Sequence, residues 1–387
     1  MFSDVIAAAA LGIWLYLLLA RGGFWLCRER DDSVPDAPAS WPSVAVVIPA
    51  RNEAECVSDS IGSLARQDYP GALAIILVDD DSDDDTVVAA QRAAAGLTAD
   101  RPIRLIRSRD LAAGWTGKLW ALKQGVDAAE QLQARPDYLL LTDADIVHAP
   151  DSVRALVARA EAERYVLTSL MAKLHCESFA ERSHVPAFVF FFQMLYPFAW
   201  VNTVNRTTAA AAGGCMLVQS EALRCAGGIE SIRGALIDDC SLAEKMKAVG
   251  PIWLGLTERV RSIRRYDNLG SVDRMISRSA YAQLRYSPIL LAGTTLGMAL
   301  TFLAGPLLAV FGDGPARLLG TLTWALMTLA FQPMLRFYRV SWLWGPALPA
   351  IAAAYMVYTF DSAYRYARGQ GGNWKGRVQV NMSWRQL

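Results

Sequence analysis

The residues best equipped for chemistry are carboxylates, and they gather at three places: Asp143-Ala-Asp145, the run Asp79-Asp-Asp-Ser-Asp-Asp-Asp85, and Asp238-Asp239. The first pair follows an apolar run, Tyr138 to Leu141. A core strand delivers carboxylates to its exposed C-terminal end in this way. Alternation along an extended chain places Asp143 and Asp145 on one side, with Ala144 leaving room between them. Hard oxygen donors at that spacing suit Mg²⁺ or Mn²⁺, which take further ligands from substrate phosphates. A surface turn carries the same Asp-x-Asp, so the pair alone does not specify a metal site. Asp238 and Asp239 open a helical stretch running to Met246. They read as an N-cap with dipole compensation, or as a general base. Both readings hold together if each Asp does one job.

Several other chemistries are excluded. No G-x-G-x-x-G follows the first strand, and Gly117-Lys118 lacks the upstream glycine and the following Ser/Thr of a P-loop. The Asp79–Asp85 run has Asp84 where an EF-hand needs glycine and Ala90 where it needs glutamate. Six cysteines show no C-x-x-C spacing and read as free thiols. His148, His175 and His184 are too scattered for a metal cluster, and His148 reads as a loop or supporting residue near Asp145. The net charge of +1 argues against a nucleic-acid partner.

The elements that must position these groups alternate. Strands are expected at Ser43–Pro49, Leu73–Val78, Ile103–Ile106 and Tyr138–Leu141, with helices over 54–67, after Thr86 to Ala95, and over 116–134. Strands alternating with helices imply an α/β fold with a mostly parallel sheet and ligands at the strand C-termini. The small-residue stretch Thr207–Val218, with Gly213, Gly214 and Cys215, resembles a backbone-lined floor beneath a ligand.

The chain of 387 residues is 53% hydrophobic with a mean hydropathy of +0.21, and its apolar excess lies at both ends. Residues 1–30 contain an apolar stretch long enough for one span, which needs ~20 residues. Arg21, Arg28 and Arg30 follow it, which argues against a signal peptide and places the next domain in the cytoplasm. Residues 31–42 read as a linker, 43–262 as the catalytic domain, and 263–287 as an amphipathic interfacial segment. Residues 288–362 hold about three further membrane helices, and 363–387 form a basic tail. Four spans would put that tail outside, unless one segment is re-entrant or the proline-containing last one does not cross. Pro186–Val201 reads equally as an interfacial segment and as a core helix.

Taken together, Val46-Val-Ile-Pro-Ala-Arg-Asn-Glu53, Val78-Asp-Asp-Asp-Ser-Asp-Asp-Asp-Thr86, Gly117-Lys118, Thr142-Asp-Ala-Asp-Ile146 and Asp238-Asp239 resemble family 2 glycosyltransferases. Gly114-Trp-Thr-Gly-Lys-Leu-Trp-Ala121, Ser279–Ser287 and Trp374-Lys-Gly-Arg377 are similar to the hopene-associated subgroup of bacterial membrane enzymes. The resemblance implies a GT-A fold, a nucleotide-diphosphate sugar donor (usually UDP-linked) and inversion at the sugar carbon. It implies that Asp80 reads the nucleobase and that Pro49, Arg51 and Glu53 line the nucleotide pocket. Lys118 would stand near the donor, Asp143 and Asp145 would handle metal and diphosphate, and Asp239 would be the base, with Asp238 before it. The Q-x-x-R-W element of processive members is replaced by Gln283-Leu-Arg285-Tyr286, one residue shorter. Together with Gly213, Gly214 and Cys215, Gln283, Arg285 and Tyr286 are the acceptor or gating candidates, and their departure favours a single transfer. The expected acceptor is a membrane lipid, such as a hopanoid. A polyprenyl phosphate, a ceramide or a diacylglycerol is the alternative. A non-catalytic membrane scaffold that binds nucleotide-sugar is the rival from another class. The expected location is the bacterial inner membrane, multi-pass, with the catalytic domain facing the cytoplasm.

Overall fold

The computed structural model describes residues 1–95, 102–375 and 377–378. Its centre is an eight-stranded sheet of β1 (Val44–Ala50), β2 (Leu73–Asp79), β3 (Ile103–Arg107), β4 (Tyr138–Thr142), β5 (Ile146–His148), β6 (Leu167–Lys173), β7 (Cys215–Gln219) and β8 (Ile252–Ser262), in the order β3-β2-β1-β4-β7-β6-β8-β5. The first four strands are parallel, as their alternation with helices requires. The strand β7 runs antiparallel between β4 and β6, and the parallel pairing resumes at β6 and β8. The strands β5 to β8 went unread in the sequence because short runs such as Ile146–His148 carry little periodicity.

Every residue of β1 is buried. Ala45 and Val47 face one apolar cluster while Val44, Val46 and Ile48 face the other, so helices must cover both sides. The early helices are α1 (Phe2–Leu19), α2 (Val57–Ala65), α3 (Thr86–Ala95) and α4 (Gly117–Glu130). Gly125 of α4 lies against the sheet, where a Cβ would come within 2.3 Å of Val47 Cγ1 and 3.1 Å of Val78 Cγ2. Gly125→Ala should therefore lift α4 and cost about 1–3 kcal/mol. A thermal-unfolding midpoint equal to wild type would show that the helix has slack.

The chain continues through α5 (Ser152–Glu163), α6 (Phe179–Leu195), α7 (Phe198–Val201), α8 (Ser220–Cys225), α9 (Asp238–Lys247), α10 (Leu269–Ser277) and α11 (Ala280–Gln283). A capping box of Ser178 and Glu181 starts α6, whose Val185, Val189, Phe190 and Phe191 are buried. Of the two readings of Pro186–Val201, the core helix is the one observed for α6. The stretch 263–287 is not one amphipathic membrane helix but two short ones after an extended lead. Its Arg264, Arg265, Arg274 and Arg278 line a cleft, where Glu53 and Asp145 hold Arg264.

Last come α12 (Pro288–Met298), α13 (Ala304–Phe311), α14 (Gly314–Phe337) and α15 (Leu348–Ala367). Among the described residues, Phe2–Leu19, Pro288–Phe311 and Gly314–Phe337 are long and apolar enough to cross a membrane. The π-helical turn Ala299–Leu303 joins α12 to α13, and there the Trp14 indole N–H donates to the Thr301 carbonyl at 2.7 Å. The predicted stretch Trp342–Phe360 behaves differently. After α14 the chain makes a single turn, Trp342–Trp344, and α15 starts beside the middle of α14, where Trp324 Nε1 donates to the Pro346 carbonyl at 2.9 Å. Arg339 pairs with Glu258 of β8 at 2.9 Å, and Lys375 lies against Glu53. Both ends of the segment between them thus lie against the α/β domain. That geometry keeps the tail beside the α/β domain.

Candidate active site

A cleft of about 1030 Å³ opens at the C-terminal ends of β1 and β4. Pro49, Glu53, Lys118, Asp143, Asp145, Gly213, Gly214, Asp238 and Asp239 all line it. Two distant carboxylate clusters, Asp143/Asp145 and Asp238/Asp239, therefore share one hollow with a lysine between them.

Lys118 is placed by a helix start. Thr116 is the N-cap of α4, its hydroxyl accepting from the Leu119 N–H at 3.4 Å, which sets Lys118 in the first turn. A cation there opposes the helix dipole, so it needs anions close by. Asp143 Oδ1 supplies one at 2.9 Å and Asp238 Oδ2 another at 3.1 Å. Burial works against the ammonium, but these two carboxylates outweigh it and hold its pKa above the ordinary lysine value. Burial pushes the Asp143 carboxyl up in turn, and Lys118 opposes that shift.

Asp238 and Asp239 are the first two residues of α9, whose N-cap is Ile237, with no side-chain cap. The N-capping expectation fails, while the dipole part of it holds: both carboxylates sit where the helix favours anions. Asp239 is gripped from two sides. The Cys240 N–H donates to its Oδ1 at 2.7 Å and the Gly213 N–H to its Oδ2 at 3.0 Å. Burial and the neighbouring Asp238 nevertheless raise its pKa to about 6. A carboxylate so tuned is ionised at neutral pH and a better proton acceptor than an ordinary aspartate.

The Asp-x-Asp pair departs from the extended geometry expected of it. The strand β4 stops at Thr142 and the chain turns, with the Ile146 N–H donating to the Asp143 carbonyl at 3.2 Å. The two carboxylates consequently meet different cations. Asp143 takes Lys118, whereas Asp145 Oδ2 accepts from Arg264 Nε at 2.9 Å and from the Ser262 hydroxyl at 3.0 Å. The same Arg264 holds both oxygens of Glu53, at 2.7 and 2.6 Å. Among the described residues, no group of three or more His, Cys, Asp or Glu side chains converges to hold a metal. Two carboxylates still fit Mg²⁺ or Mn²⁺, because such ions are commonly held by one or two carboxylates plus substrate phosphates and water.

Other expected site residues lie outside the lining. Arg51 is buried and braces the acidic run from below, its Nη1 donating to the carbonyls of Asp80 and, at 2.6 Å, Asp81. Asp80 itself is buried, with its N–H on the Ala50 carbonyl at 2.8 Å. Cys215 is fully buried in β7. Gln283 donates to the Tyr196 hydroxyl at 2.6 Å, and Tyr286 stacks on Tyr366 with centroids 4.4 Å apart. Arg285 and Tyr286 form a left-handed turn outside the cleft, with φ of 51° and 55°. His148 is buried among Thr142 and Ser152, and burial lowers its pKa to about 4. It is a neutral support. Arg264 and Lys375 are the functional-site residues that sequence reasoning missed as such. The basic stretch around Arg264 suggested a membrane surface, Lys375 stood only in a basic tail, and no local signal pointed either to Glu53.

Residues 45–227 match the family model described as Glycosyl transferase family 2. No curated protein matches the chain. Among solved structures, the mannosyltransferase PcManGT from Pyrobaculum calidifontis, in complex with GDP-Man and Mn²⁺, is similar at a TM-score of 0.55 and 20% identity, over 92% of this chain and 99% of that one. S. aureus TarS 1-349 in complex with UDP aligns at 0.41 and 14%, over 88% and 97%. Glucosyl-3-phosphoglycerate synthase from Mycobacterium tuberculosis, with Mg²⁺ and UDP, aligns at 0.41 and 17%, over 65% and 85%. The matched residues carry β1 to β7, Lys118, Asp143 and Asp145; residues 45–227 are therefore similar to a family 2 glycosyltransferase domain, the chain has a GT-A-like α/β fold, and it is a glycosyltransferase.

Proposed function

We propose that the protein is an inverting, metal-dependent enzyme that moves one sugar from a nucleoside-diphosphate sugar, a UDP-sugar first, to a membrane lipid. A hopanoid is the first acceptor candidate, on the strength of the subgroup resemblance. One observation carries the reading: Asp239 and Lys118 face the same cleft as Asp143 and Asp145, and that cleft has an apolar wall of Leu174, Phe188, Phe192 and Met275. The α6 helix supplying two of those residues packs on the candidate membrane helix α14, with Phe190 and Phe331 centroids 5.2 Å apart.

The chemistry follows from the placement. The acceptor hydroxyl gives its proton to Asp239 as its oxygen bonds to the anomeric carbon. The bond from that carbon to the diphosphate oxygen breaks on the opposite face, and the nucleoside diphosphate leaves with both electrons. Lys118 stabilises the charge that develops on the leaving oxygen. Asp143 and Asp145 would hold a divalent ion, which supplies Lewis-acid neutralisation of the diphosphate. A single base carboxylate suffices for a direct, inverting displacement, which requires no covalent enzyme intermediate.

A polyprenyl phosphate is the second acceptor reading. Arg265, Arg274 and Arg278 line the cleft, and no carboxylate pairs with any of them among the described residues. Surplus cations of that kind suit an anionic headgroup. We further propose a bacterial inner-membrane location with residues 43–262 as the cytoplasmic catalytic unit. Arg21, Arg28 and Arg30 after α1, and Arg336 and Arg339 at the end of α14, support it. The test is lipid mass spectrometry of cells with and without the protein, paired with UDP-sugar turnover in detergent with and without Mn²⁺. A hexose-shifted hopanoid or polyprenyl phosphate is expected. An unchanged lipid profile together with Mn²⁺-independent turnover would remove the lipid acceptor and the metal from the proposal.

A further inference from the structure

We propose that the tail segment 370–375 forms a wall of the donor site and that the Lys375 ammonium is a ligand for the donor's diphosphate; the proposal rests on the donor reading above. The tail leaves α15 and turns back through Gly369 and Gly372, whose φ angles of 72° and 64° suit glycine. Gln370, Gly371, Gly372 and Lys375 then line the cleft that holds Asp145 and Lys118.

The tail is stitched to the loop after β1 at three points. Arg51 Nε donates to the Lys375 carbonyl at 3.2 Å. Lys375 Nζ donates to the Asn52 carbonyl at 2.8 Å and stands 3.1 Å from Glu53 Oε1. Lys375 also adopts a φ of 50°, a conformation costly for a residue with a side chain and sustained only when its surroundings impose it.

Charge indicates what the ammonium is for. Asp145, Arg264, Glu53 and Lys375 form an unbroken chain of ion pairs, two anions alternating with two cations. Arg264 by itself already engages both oxygens of Glu53, so that carboxylate does not require Lys375. A lysine has three N–H donors, and two have partners here. A diphosphate entering beside Asp145 meets the third. Lys375 of the basic tail thereby gains a role at the donor site.

The test uses the full-length protein in detergent and measures binding of UDP, uridine and, as a second nucleotide, GDP, each with Mn²⁺. Lys375→Met should weaken UDP roughly tenfold, the size of one lost charge-assisted hydrogen bond, and leave uridine unchanged. Lys375→Arg should restore part of the loss, and the donor KM should rise while kcat holds. Equal weakening of UDP and uridine would make the tail a brace for the nucleoside pocket and overturn the proposal, as would unchanged UDP affinity. Wild-type protein that binds neither UDP nor GDP would bring down the donor reading itself.

Discussion

Asp239→Asn should lower turnover by about 10²–10⁴-fold, the range for loss of a general base, while UDP affinity stays at the wild-type value. The substitution keeps the side-chain shape, and the amide oxygen can still accept from Cys240 or Gly213, so the fold is spared. What is lost is the proton acceptor. Because the pKa of Asp239 is raised to about 6, the base is competent above that pH and protonated below it. The wild-type kcat/KM should therefore fall tenfold per unit as pH drops beneath that value, and the variant should lack this limb. Turnover in Asp239→Asn equal to wild type would end the assignment. So would a pH limb that survives the substitution.

Lys118→Met ranks next, with an expected loss of about 10²–10³-fold in turnover, comparable to removing one preorganised donor to a developing oxyanion. Lys118 stands 2.9 Å from Asp143 and 3.1 Å from Asp238, so it links the two carboxylate clusters electrostatically. Without it, Asp143 and Asp238 lose their shared counterion in a partly buried site, and Asp143, which burial already pushes up, is driven toward protonation. The loss should appear in turnover of UDP-sugar more than in affinity for UDP, since the charge that Lys118 meets grows as the bond breaks. A variant that retains above about a tenth of wild-type turnover would take Lys118 out of leaving-group stabilisation.

Much of the α/β unit was legible in the chain. The apolar runs that became β1 and β2 are unbroken because the sheet is covered on both faces, and fully buried strands need no polar alternation. The carboxylates at the ends of β2 and β4 stand out because each follows such a run. In the second half the signal thinned. The strands β6 and β7 are buried runs of mixed character, Leu167–Lys173 and Cys215–Gln219, and their pairing depends on partners far away in the chain. Gln283, Arg285 and Tyr286 lie outside the cleft lining. A likeness of spacing placed them at the acceptor site, yet the turn between α11 and α12 carries Tyr286 off to Tyr366.

From sequence alone came the kinds of group involved and the strand ends that would present them: Asp143 and Asp145 after a core strand, Lys118 near a helix start, and Asp238 and Asp239 opening another helix. Local patterns suffice for this, because periodicity and capping act over a few residues. Only the tertiary structure decided which ions meet. It gave Asp145 to Arg264 instead of to its neighbour's partner, set Asp239 against the Gly213 N–H, and brought Lys375, which follows the last helix, back to Glu53. Such contacts depend on distance in space, and no window of sequence spans the separation between Glu53 and Lys375.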